Sequence, residues 1–143
     1  MPNWWHIAFN GLYHLGLALW IGGAVALGAL VAPALFRTLP RQDAGGIFGP
    51  VLRRFAFLRL AAVGLMVLGA GAKYLRFETH ARTPWIAMRW SLIAALAIIV
   101  VYEIASLHPR MEKRGDDFPR LHKRSEALMK LSLALAIIAL FLS

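Results

Sequence analysis

Residues 4–36 read WWHIAFNGLYHLGLALWIGGAVALGALVAPALF and contain no Lys, Arg, Asp or Glu. A helix needs about 20 apolar residues to cross a bilayer, so this stretch is long enough for a span with residues to spare. No basic residue precedes its apolar run, and that run exceeds the roughly 7–15 residue core of a signal peptide. The Ala32-Pro33-Ala34 triplet resembles a cleavage site, but the segment is expected to be retained. Three more apolar blocks follow, from about Phe55 to Leu75, Pro84 to Leu107 and Leu121 to the C-terminus. Pro50 and Pro84 suit the first turn of a helix, and Pro109 suits a stop. The expected fold is all-α and integral to the membrane. It is a single domain over 1–143, a four-helix up-down bundle with helices at about 4–36, 55–75, 84–107 and 121–142.

Composition agrees: 59% of the 143 residues are apolar and 16% are charged, against about 45–50% and 25% in soluble domains. This excludes a disordered chain and an ordinary soluble enzyme. The absence of cysteine removes disulfides, thiolate metal sites and cysteine nucleophiles. The net charge of +9 would suggest nucleic acid if it formed one soluble patch. Here the cations lie between apolar blocks, where they report topology, so no nucleic-acid partner is expected.

The first and third connections must share a side. That side and the adjoining helix ends carry Arg37, Arg41, Arg53, Arg54, Arg59, Arg110, Lys113, Arg114, Arg120, Lys123, Arg124 and Lys130. The opposite side carries Lys73, Arg76, Arg82 and Arg89. By the positive-inside rule the long connections are cytoplasmic and both termini lie outside. A bacterial inner membrane is the expected location. Trp4, Trp5, Trp85 and Trp90 gather at the outer ends, as an interfacial belt would.

Ionisable groups within the spans are costly and need partners. Glu103 lies near the cytoplasmic end of helix three, and Arg59 and Lys130 fall at similar depth, so a buried Glu103 pair with one of them is expected. Such a pair is either a pin between helices or a polar site for an ion, a proton or a lipid head group. His14, with Asn10 one turn before it, is the candidate metal ligand, and Met66 falls at a similar depth. Imidazole with thioether suits copper or haem iron. Both residues also make sense as packing. His6 is about 12 Å from His14 along the helix, too far to share an ion. His108 and His122 flank the third connection and could approach each other at the membrane edge, with Glu126 beyond. Arg37, Arg53 and Arg54 mark the same edge and could meet anionic lipid. Small-residue spacings at Ala18/Gly22 and Ala24/Gly28 suit close helix packing within the chain or a homodimer face. No nucleophile–base pair, catalytic carboxylate pair or phosphate loop is present.

The segments His14–Gly23, Val31–Pro40, Ala44-Gly45 and Arg53–Phe55, with Pro109–Met111 and Leu121–Ser125, resemble the transmembrane-protein-205-like family over nearly the whole chain. The family's second signature carries Gly and Asn where this chain has Lys123 and Met129. The resemblance implies a four-helix membrane bundle, a domain of unknown function and a loose association with metal-drug tolerance. The His14, Trp20, Gly22, Gly23 pattern is also similar to helix one of the copper-resistance protein D family. More distantly, it is similar to the haem-containing membrane protoporphyrinogen oxidases. These likenesses single out His14. The leading expectation is a non-catalytic accessory component of a larger membrane assembly. The alternatives are a copper or haem handling protein using His14 and a haem-dependent oxidoreductase.

Overall fold

The computed structural model describes residues 4–81, 83–113 and 115–143; Arg82 and Arg114 of the charge count lie outside them. The described residues form four helical rods and no strand: α1 (Trp4–Thr38), α2 (Arg41–Glu78), α3 (Pro84–Glu112) and α4 (Phe118–Phe141). The first three are long and apolar enough to cross a membrane. In α4, Arg124, Glu126 and Lys130 leave only Leu131–Phe141 uncharged, about 16 Å of helix against an apolar core of about 30 Å.

The rods are longer than the apolar blocks. The connection expected over Arg37–Arg54 shrinks to Leu39 and Pro40. Leu39 is extended, as a residue before proline prefers. Pro40 then opens α2, with Asp43 in its first turn, where the helix dipole favours an acid. Pro50 is inside this helix and not at its start. An interior proline removes one backbone hydrogen bond and normally bends a helix. Here tertiary contact holds the segment: Ala44 is fully buried, and the Phe36 and Phe48 rings meet edge to face at 6.1 Å. Pro109 does not stop α3 either. The turn before it widens into a π segment, Glu103–Leu107, in which the His108 N–H donates to the Glu103 carbonyl. A second π segment, Ala26–Val31, precedes Pro33 in the same way, with the Ala32 N–H on the Leu27 carbonyl. Such local rewinding is how membrane helices accommodate proline.

Contacts fix an up-down order. On α1 and α2, the Phe9–Tyr13 backbone meets Gly69, Gly16 meets Ala62 and Met66, and Gly23 meets Phe55. On α2 and α3, Glu78 pairs with Arg89 and Arg59 with Glu103. The His14 ring reaches Ser143, after the end of α4, so α4 runs antiparallel to α1. Leu17, Trp20, Met66, Leu96, Val100 and Ala136 are fully buried at the centre. The outer surface is apolar too, with Leu30, Leu68 and Ile98 at least 64% exposed. Exposed Trp4, Trp5 and Trp85 lie at the end opposite Arg37, Arg53 and Arg54.

The glycines that bring α1 and α2 together are not the pairs the spacing suggested. A Cβ on Gly16 would lie 2.5 Å from the Ala62 carbonyl oxygen, and one on Gly69 would lie 2.5 Å from the Phe9 carbonyl oxygen. Gly22 and Gly28 have nothing within 4 Å, and Ala18 is exposed. Ala24 alone of those four is buried. Gly69→Ala therefore forces backbone apart and should cost about 1–3 kcal/mol, as overpacking does. Gly64→Ala on the same helix, where nothing lies within 4 Å, should be neutral or stabilising by up to about 1 kcal/mol. Unfolding in detergent micelles separates the two; equal losses would mean that α1 and α2 are not in close contact.

Candidate functional site

The buried ion pair expected from Glu103 forms with Arg59. Both side chains are 1% exposed, and Arg59 Nη2 donates to Glu103 Oε2. Lys130 is not part of it. The inward residues of α4 are Ser125, Ser132, Ala136 and Ala139, and Lys130 is about 140° round the helix from Ser125. It instead donates to Glu126 one turn earlier, at 2.7 Å on the exposed face. Arg59 is also sandwiched between rings, its guanidinium carbon 5.3 Å from the Trp20 ring centre and 5.2 Å from that of Phe55. Phe55 precedes Arg59 by one turn, so that contact was available from the spacing. The Trp20 contact depends on how α1 and α2 pack and had no local signal.

The pair leaves polar atoms over. Arg59 Nε and Nη1, Glu103 Oε1, Trp20 Nε1 and His108 Nδ1 are all buried without a hydrogen-bond partner among the described residues. The π turn contributes to this grouping. In α-helical winding, residues five apart diverge by about 140°; the wider turn from Glu103 to Leu107 reduces that angle and keeps His108 nearer the side of Glu103.

Beyond His108 a cavity of about 280 Å³ opens at the basic end, between the start of α2, the end of α3 and the start of α4. His108 and His122 both line it, with Arg53 and Ser125. The His122 ring stacks on Phe118 at 6.0 Å. Arg53 pairs with Glu112, which also lines the wall. Glu126 is occupied by Lys130, and Arg37 and Arg54 are exposed at the same end. The apolar wall of Phe36, Phe48 and Met111 had no signal in the sequence, because residues 37–54 and 108–120 read as connections and not as helix.

His14 is elsewhere, near the tryptophan end. Its Nδ1–H donates to the Asn10 carbonyl at 2.7 Å, since a carbonyl only accepts. That leaves Nε2 as the acceptor for the Ser143 hydroxyl at 2.9 Å. The same hydroxyl is 2.7 Å from the Leu140 carbonyl, and its one proton serves one acceptor at a time. Met66 packs on Gly16 in the fully buried core. Residues 14 and 16 are about 200° apart on a helix, so His14 and Met66 sit on different sides of α1. No group of three or more His, Asp or Glu suited to a metal occurs among the described residues. A second charged group at this end was also missed. One Arg89 nitrogen reaches both Glu78 oxygens, at 2.9 and 3.0 Å, with Lys73 at 3.8 Å, which ties α2 to α3.

The fold and site define a class: a small all-helical membrane protein with a buried polar cluster, of which His108 also lines a cavity at the basic end. The chain belongs to the DUF4149 family, a domain of unknown function, whose family model matches residues 15–117. Trp20, Arg59, Glu103 and His108 are within the matched stretch; His14 and His122 are outside it. No curated protein and no solved structure matches the chain. The comparisons add no support for the likeness to the transmembrane-protein-205-like or copper-resistance protein D families.

Removing one member of a buried pair strands the other charge, at about 3–5 kcal/mol, whereas replacing both by apolar residues is often neutral. Arg59→Met and Glu103→Leu should each destabilise by that order, and the double variant should recover most of the loss. A double-mutant cycle in detergent checks this; additive losses would show that the two groups do not act as a pair.

Proposed function

We propose that this protein is a non-catalytic, membrane-embedded binding protein, and that its site is the cluster around Arg59 and Glu103. The carrying observation is the group of buried, unpartnered polar atoms beside a charge pair that is already neutral. Trp20 Nε1, Arg59 Nε and Arg59 Nη1 offer N–H donors, against one carboxylate oxygen. Burying such groups unsatisfied is costly. Donor excess at zero net charge favours a neutral, oxygen-rich occupant: a carbonyl- or hydroxyl-bearing small molecule entering past His108. Nothing in the cluster pairs a nucleophile with a base, which supports binding over catalysis.

In this reading all four helices cross the membrane. Lys130 reaches back one turn towards the basic end to meet Glu126, as long side chains do near membrane edges. The excess of cations there supports a cytoplasmic position for that end, with both termini outside, in a bacterial inner membrane. An accessory role in a larger assembly is the second reading. It draws on the outward face of α1, where Gly11 and Gly22 have nothing within 4 Å while Gly16 and Gly23 are taken up inside the chain. Copper or haem handling through His14 has less support, because Met66 lies on another side of α1 and no group of three or more His, Asp or Glu suited to a metal occurs among the described residues.

Solvent extraction of purified protein, followed by mass spectrometry, tests the main reading. Wild type should release a neutral oxygen-bearing compound in near-stoichiometric amount, and the Arg59→Met/Glu103→Leu variant should release none. Identical extracts from both would reduce the cluster to a hydrated pin between helices. Photo-crosslinking from residue 18 or 22 to another protein would favour the accessory role. Iron or copper lost on His14→Ala would restore the metal reading.

A further inference from the structure

The cavity at the basic end has a feature that helix packing does not explain. Gly45, Gly46 and Gly49 stand in its wall, inside a continuous helix, and none has an atom within 4 Å of where a Cβ would be. Glycine in a helix interior is destabilising relative to alanine. Gly16 and Gly69 offset that by letting backbones touch; these three touch nothing. Their effect is to keep one wall as bare backbone, which suits close approach of a bound group. Pro50 adds to this, because it has no N–H to give to the Gly46 carbonyl on the same wall.

The remaining walls are amphipathic. Phe36, Phe48 and Met111 are apolar, while Ser125 and Arg53, the latter paired with the Glu112 carboxylate on the same wall, supply hydrogen-bond donors beside the His122 ring. The surroundings are cationic. The five ion pairs among the described residues involve none of Arg37, Arg41, Arg54, Arg110, Lys113 or Arg120, which all belong to this end. A free phosphate would match the donors and the charge but leave the aromatic side unused. At 280 Å³ the cavity is at the small end of ligand sites, the scale of a head group and not of a whole lipid.

The geometry points to a binding site for one acidic glycerophospholipid. Its phosphate lies towards His122, Ser125 and Arg53, and the first methylenes of a chain lie against Phe36, Phe48 and Met111. Basic segments at a membrane surface attract such lipids generally; this cavity would hold one at a defined place. The site is separate from the Arg59–Glu103 cluster, which it adjoins only through His108.

Thermal unfolding in a neutral detergent tests the assignment, with phosphatidylglycerol, phosphatidylcholine or inorganic phosphate added. Phosphatidylglycerol should raise the Tm of wild type by several degrees, and the other two should not. Gly49→Leu fills the cavity and improves helix propensity, so it should keep or raise the lipid-free Tm and lose the shift. Gly64→Leu, at an open position outside the cavity, should keep the shift. His122→Phe with Ser125→Ala should lose it without entering the cavity from α2. The Arg59→Met/Glu103→Leu variant should keep it, so the two proposals fail separately. An equal response to phosphatidylcholine or phosphate, a shift surviving in Gly49→Leu, or no shift in wild type would each overturn the assignment.

Discussion

An arginine and a glutamate, each 1% exposed within apolar helices, constrain one another before anything else in the structure does. Either charge alone would be too costly at that depth, so α2 and α3 must hold a register that brings residue 59 to residue 103. That register carries the ion pair of Arg53 with Glu112 towards one end and Glu78 with Arg89 towards the other. The pair also governs α1, because the guanidinium lies against Trp20 as well as Phe55. The electrostatic requirement and the aromatic contact thus set three helices together.

Close backbone contact supplies what the apolar effect does not. Lipid is as apolar as leucine, so membrane helices associate through van der Waals contact and polar links more than through exclusion of water. Gly16 and Gly69 let α1 and α2 touch along two turns, and Gly23 gives room to the Phe55 ring that packs on Arg59. The packing glycines and the buried charge are therefore neighbours in one arrangement.

The helical class was legible because it rests on long runs without charge, and the need of a buried Glu103 for a cation was legible for the same reason. Which cation was less so. Arg59 and Lys130 are similar in depth, and only the angular phase of α4, visible in its buried Ser125 and Ser132, turns Lys130 outward. Residues 41–54 were misread because glycine and proline normally mark loops, whereas here Ala44 and Phe48 anchor a helix through them. The cavity went unseen with them, since two of its walls come from that helix and from the continuation of α3 past Pro109. Of the two roles open to the Ala18/Gly22 and Ala24/Gly28 spacings, packing within the chain is not the one Gly22 and Gly28 take, because spacing gives a face and not the direction in which it points.

The π segment at Glu103–Leu107 has a consequence for chain length. A π turn holds one residue more than an α turn spanning the same rise, so α3 carries an extra residue at this point. Deleting one residue between Ile104 and Leu107 would let the turn close as ordinary α-helix and preserve the helix as such. The remainder, from His108 to Glu112, would then keep nearly its present phase against the Arg59–Glu103 pair and against Arg53, because four α-helical steps turn through about 400° and return to the same side. The wide turn thus absorbs one residue of length in α3 without changing the angle between the buried cluster and the basic end, which neither the hydrophobicity nor the charge of the segment records.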